Sequence, residues 1–248
     1  MLKRPQSSER VNALHARAVQ ALLVVLSVTA GCTDVIGFLG LNGLFTAHIT
    51  GNLVILAAHL ATGDKATIAH VLAVPVFAIV VSTATVLAGG LEAKGWAALR
   101  PLLLLQALLL AGALAVCVLA GPRLQPNATE GILAGMLSVS AMAVQHALVQ
   151  ISIEGAPATA VMTSNVTRFA IAVGEVLIRR DPAIVSTART RAARTWPAIA
   201  GFAIGCGIGA GCEAVLGMRS LILPAGLALI ACAMGGALES DRAPTNAH

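Results

Sequence analysis

Long apolar runs separated by short polar stretches organise this chain. Eight runs can be drawn, at roughly 18–41, 47–62, 68–90, 101–121, 129–151, 158–178, 197–217 and 220–238. Most are close to the ~20 residues that carry an α-helix across a bilayer. They do not alternate with the period of two that a membrane β-barrel strand would show. Backbone inside lipid must satisfy its own hydrogen bonds, so such runs are helices. The pattern predicts an all-α fold, a polytopic transmembrane helical bundle. The run at 47–62 is the shortest and reads as a half-span or broken helix.

Polar groups cluster where that short run begins. Residues 45–52 read FTAHITGN and place Thr46, His48, Thr50 and Asn52 around Gly51. A helix that starts inside a membrane exposes several backbone N–H groups and a positive dipole end. Thr and Asn are good caps for such a start, and Gly51 would permit a tight turn or the close approach of a ligand. The stretch ATAVMTSN (158–165) resembles it, matching Thr46 with Thr159, Thr50 with Thr163 and Asn52 with Asn165. Two further matches run in the same order, SVTAG (27–31) with SVSAM (138–142) and AGGLEA (88–93) with GAGCEA (209–214). Together they predict a duplication, with halves of about 18–121 and 129–238.

Charge placement orients the halves. Lys3, Arg4, Arg10 and Arg17 precede the first run, and Arg179, Arg180, Arg189, Arg191 and Arg194 occupy the 179–195 loop. Cytoplasmic loops of membrane proteins are enriched in Lys and Arg, so both segments are expected inside. Eight full spans would make the halves parallel repeats and put Lys94 and Arg100 outside. Six full spans, with the two T-x-N segments re-entering the face they left, would put both residues inside and make the halves inverted repeats. The second arrangement fits the charges better. The domain reading is a cytoplasmic N-terminal segment at 1–17, one transmembrane domain at 18–238 and a polar tail at 239–248. The first helix is read as retained, not as a cleaved signal peptide.

Composition agrees. The chain is 57% hydrophobic and 11% charged, with mean hydropathy +0.87, against about 25% charged residues in soluble domains. The net charge of +5 follows topology and not nucleic-acid binding, since the basic residues sit between apolar runs. Five cysteines lie in or beside apolar runs without CxxC spacing and read as packing residues. No spacing suggests a metal site, and none of the motifs GxxxxGK[ST], HExxH or GxSxG is present, so no cofactor and no enzymatic activity are expected.

Two ionisable residues stand out. Asp34 lies well inside the first run, where a carboxylate is costly and usually faces a cavity or a partner; it is the candidate proton-coupling residue. Arg168 follows Asn165 by three residues and so shares its helix face. It is expected to pair with Asp34, to bind an anionic substrate, or to snorkel to the surface. His48 is a third titratable group in the candidate site.

The stretch CTDVIGFLGLNGLFTAHITGNLV (32–54), with Asp34, Phe45 and Thr50-Gly51-Asn52, resembles the signature of the DUF1275 family, and PATAVMTSNVT (157–167) extends the likeness to the second half. The resemblance implies a multi-pass bacterial inner-membrane protein and assigns no substrate. Where the first half has Thr-Gly-Asn, the second has Thr163-Ser164-Asn165. The functional expectation is secondary transport of a small solute, coupled to protons. Thr46, His48, Thr50, Gly51, Asn52, Thr159, Thr163, Asn165 and Arg168 would line the site. The rival is a non-transporting interaction protein whose polar motifs serve helix packing. The lipid bilayer is the expected partner, and Gly- and Ala-rich helices suit a monomer or a homo-oligomer.

Overall fold

The computed structural model describes residues 5–63, 68–121, 124–153, 156–160 and 162–240. The chain folds as α1 (Pro5–Gly40), α2 (Ile49–Thr62), α3 (Ile68–Glu92), α4 (Leu99–Ala120), α5 (Thr129–Ser152), α6 (Met162–Ile178), α7 (Pro182–Leu216) and α8 (Ile222–Ser240), with a 3-10 turn at Gly217–Leu221 before α8. Among the described residues there is no strand. Five helical stretches are long and apolar enough to cross a membrane, and the last, Pro182–Glu239, contains both α7 and α8.

Several predicted boundaries shift. The first run extends back to Pro5 as one 36-residue helix, so residues 5–17 of the N-terminal segment are continuous with it, and residues 1–4 lie outside the described residues. The run at 197–217 begins earlier, at Pro182, capped by the Asp181 carboxylate accepting from Ala183 N–H (2.9 Å). The run at 158–178 is helical only from Met162, and 158–160 are irregular. Polarity explains the first two errors: charged helical turns at the end of a span look like loops when only apolarity is read. Apart from Glu239 and Ser240, the tail at 239–248 lies outside the described residues.

Contacts along the helices fix their directions. Helix α7 runs parallel to α1: Gln20 bonds the Ala193 carbonyl, Gly201 lies against Val24, Gly205 against Val28 and Gly209 against Cys32. Small residues let these backbones approach closely; a Cβ on Gly205 would sit 2.3 Å from the Val28 carbonyl oxygen. The Cys32 thiol donates to the Gly205 carbonyl (3.1 Å) across the same seam. Helix α5 runs against α1, with Gln145 at the level of Leu26 and Gly135 against Leu41 and Leu44. It also runs against α4, through Gln106–Gln145 and Gly112–Leu137. Helix α8 is antiparallel to α4, with Gly235 against Leu103 and Gly236 against Arg100. Helix α3 follows α5: Val139 packs with Ala69 and Ala73, and Val144 and Leu148 with Ala84 and Ala88. Thus α1, α4 and α7 point one way and α3, α5 and α8 the other.

These directions define the path of the two short helices. Helix α1 ends, and α3 starts, at the same end of the bundle, so α2 lies on a connection that begins and ends there. Helix α5 ends, and α7 starts, at the opposite end, so α6 lies on a connection that does the same from the other side. At 14 and 17 residues, α2 and α6 are about 21 and 25 Å long, short of the ~30 Å hydrocarbon core. Both T-x-N elements are re-entrant. Arg17, Lys94, Arg100 and the arginines at 179–194 all lie at the end where α5 finishes and α7 starts.

Candidate functional site

The first break is closed by one carboxylate. Asp34 sits six residues before the end of α1, about 9 Å inside it at 1.5 Å per residue. The chain turns back at Leu41–His48 and lays its backbone over that side chain. Asp34 Oδ1 accepts from the N–H of Thr46 (2.8 Å) and Ala47 (2.7 Å), with that of His48 at 3.4 Å. The other oxygen, Oδ2, lies 2.7 Å from Nδ1 of His48. The irregular backbone before α2 thus has its acceptor, as burial away from water requires. The cap is not supplied by His48 at the helix start, whose side chain makes no capping bond there; it is supplied by Asp34 from the neighbouring helix.

Asn52 locks the turn from the other side. Its amide accepts from Phe45 N–H (2.9 Å) and donates to the Phe45 carbonyl (2.8 Å). Thr46, Asn52 and Asp34 are buried, and the His48 side chain is 34% exposed. That exposure opens onto a groove of about 460 Å³ whose lining includes Asp34, Phe38, Phe45, His48, Phe202 and Cys206, together with Thr50 and Gly51. Three of the chain's five phenylalanines meet there: ring centroids are 4.9 Å apart for Phe38–Phe45 and 5.2 Å for His48–Phe202. Gly51 neither makes the turn nor leaves room for a ligand. It lies within α2, and a Cβ there would sit 2.7 Å from the Phe45 ring. The glycine accommodates that ring.

The second break is closed by neutral amides. Gln145, on α5, donates through Nε2 to the Thr159 hydroxyl (2.9 Å) and the Leu26 carbonyl (2.9 Å), while its Oε1 accepts from Gln106 Nε2 (2.7 Å). Asn165 donates to the Ala158 carbonyl, at the same seven-residue spacing as Asn52 and Phe45. Gln106, Gln145, Thr159 and Asn165 are buried, whereas Thr163 is exposed. Extending the SVTAG/SVSAM match by three residues past 31 and 142 brings Asp34 opposite Gln145. That register was available in the sequence, but a neutral amide in an apolar run does not draw the eye as a carboxylate does.

The predicted residues therefore separate into groups. Asp34, Thr46, His48, Asn52, Thr50 and Gly51 come together at the first break. Thr159 and Asn165 come together at the second, with Thr163 facing outward. Arg168 joins neither: it is exposed and lines a different pocket with Arg191 and Arg194. The pairing of Arg168 with Asp34 is not formed, because α6 carries Arg168 toward the basic end while Asp34 lies toward the other; the partner of Asp34 is His48. Glu175 pairs with Arg191 on α7.

Bundle and breaks together define a multi-pass helical membrane protein with two re-entrant elements, in contact with the lipid bilayer. The chain belongs to the DUF1275 family, described as a protein of unknown function, whose model matches residues 22–234. It is 38% identical over 76 residues to the UPF0700 transmembrane protein YoaK of Bacillus subtilis (strain 168), a match covering 30% of this chain and 34% of that protein. No solved structure matches.

Proposed function

We propose that the protein is a proton-coupled secondary transporter of a small solute in the bacterial inner membrane. The observation that carries this reading is the Asp34–His48 pair, 2.7 Å apart within a re-entrant turn and open to a groove on the His48 side. An imidazole hydrogen-bonded to a carboxylate can take and release a proton near neutral pH. The Thr46 and Ala47 N–H groups hold the carboxylate in either state of the imidazole, so the turn survives the change of charge. Thr50 and Gly51 stand where a solute in the groove would pass. On this reading Thr159, Thr163, Asn165 and Arg168 are not in the coupling site.

The halves are read here as inverted repeats. The equivalent helices, α1 and α5, α3 and α7, α4 and α8, run in opposite directions, and each half has one re-entrant element. Rocking of one such repeat against the other gives alternating access in transporters of this construction. The clustered arginines support a cytoplasmic location for the N-terminal segment and for residues 179–195.

One observation favours the rival, a non-transporting interaction protein: the groove at the first break is lined by none of Gln145, Thr159 and Asn165 from the second. Uptake by protein reconstituted in liposomes separates the two. Pooled small metabolites are offered under an imposed proton gradient, to the wild type and to Asp34→Asn. Gradient-driven uptake that disappears in the variant is the expected result. Uptake that survives in Asp34→Asn removes the coupling role, and no uptake from any pool by folded, inserted protein moves the weight to the interaction protein.

A further inference from the structure

We infer that the arginine-lined pocket between α6 and α7 is a binding site for the phosphate headgroup of an anionic phospholipid. The pocket, about 340 Å³, is lined by Pro157, Arg168, Ile171, Arg191, Arg194 and Thr195. Three guanidinium groups thus face one space, and among the described residues no carboxylate lines it. Arg191 is paired with Glu175 beside the pocket. Arg168 and Arg194 have neither a hydrogen bond nor an ion pair among the described residues, which leaves two planar donor forks for a phosphate.

Location argues for a lipid over a soluble anion. The residue before Arg194, Ala193, is bonded to Gln20, which lies six residues into the apolar stretch beginning at Leu14. That stretch is 27 residues long, about 40 Å at 1.5 Å per residue, long enough to reach from the hydrocarbon core into the headgroup region at this end. Pro157 and Arg194 also line a neighbouring cavity of about 350 Å³, whose other walls include Val19, Leu23, Ile153 and Ala156. Charge on one side and apolar wall on the other match an amphiphile whose phosphate sits among the arginines and whose acyl chain lies along the helices. Basic pockets between helices on the cytoplasmic side of membrane proteins recognise such headgroups. The site gives Arg168 a role independent of the groove at Asp34, so it stands whether or not the protein transports.

The test is lipid binding to purified protein in detergent, read by native mass spectrometry. Phosphatidylglycerol is expected to be retained and phosphatidylcholine not. The double variant Arg168→Gln, Arg194→Gln should weaken phosphatidylglycerol binding roughly thirtyfold, the effect of two basic residues at an anionic surface. The charge-matched control Arg179→Gln, Arg180→Gln, at the exposed end of α6, should bind as the wild type does. Arg168→Lys with Arg194→Lys, which keeps charge but loses the forks, should fall between. Equal retention of phosphatidylcholine, equal loss in the control, no loss in either pocket variant, or displacement by millimolar inorganic phosphate would each overturn the assignment.

Discussion

The two helix breaks pose the same problem and are closed by different chemistry. In each, the chain turns back into the bundle, an asparagine on the following short helix bonds to a residue seven positions earlier, and a side chain from the preceding long helix reaches over to fasten the turn. In the first break that fastener is Asp34, taking backbone N–H groups and the His48 ring. In the second it is Gln145, with the Thr159 hydroxyl and Gln106. A neutral amide is thus sufficient to close a re-entrant turn in this fold. A buried carboxylate costs more than an amide at membrane depth. A carboxyl group at Asp34 therefore exceeds what closing the turn requires, and that excess supports the coupling role proposed for the first break.

Packing carries the same contrast. The first break pairs a large ring with the smallest residue, Phe45 over Gly51. The second has Ala158 and Ser164 at the matching positions. Ring and glycine compensate each other in one half, and two small side chains replace them in the other. Only the first arrangement builds an aromatic wall for the groove.

The largest effect should come from Asp34→Ala. It leaves the buried N–H groups of Thr46 and Ala47 without their acceptor, at about 1–3 kcal/mol each. Yield and melting temperature of purified protein should fall more than for any other single change at either break. Asn52→Ala should come next, at about 2 kcal/mol, because both polar groups of Phe45 lose their partner, with Asn165→Ala near 1 kcal/mol for its one bond. Thermal denaturation in detergent would rank them, and a larger loss for Asn165→Ala would contradict the bond geometry. Gln145→Glu should cost about 2 kcal/mol, since a carboxylate cannot donate to the Leu26 carbonyl. Asp34→Asn should cost less than about 1 kcal/mol, since its amide oxygen still accepts from the backbone. Gly51→Ser should cost about 1 kcal/mol through crowding against Phe45. Adding Phe45→Ala should relieve that crowding, giving a coupling energy in a double-mutant cycle.

Much of this was readable in the chain before folding. Asp34, Thr46 and Asn52 stood out because polar groups in an apolar run must find partners, and the structure joins them. The re-entrant path was readable from the length of 47–62 and from the charges. What the residues did not reveal depends on register between helices. The position of Arg168 relative to Asp34 depends on where α6 begins, and a run that is apolar from 158 onward hides a start at Met162. Phe202 lines the groove although it lies more than 150 residues from Phe45 along the chain, and nothing local marks it among other apolar residues of α7.

The measurement that bears most directly on the asymmetry is proton-driven uptake in liposomes, run side by side for Asp34→Asn and Gln145→Met and normalised to folded protein. The account predicts that Asp34→Asn inserts normally and transports nothing. It predicts that Gln145→Met is less stable, yet transports at the wild-type rate per folded molecule. If folded Gln145→Met loses uptake as completely as Asp34→Asn, or if Asp34→Asn keeps it, the two breaks are functionally alike and the charge at Asp34 is structural after all.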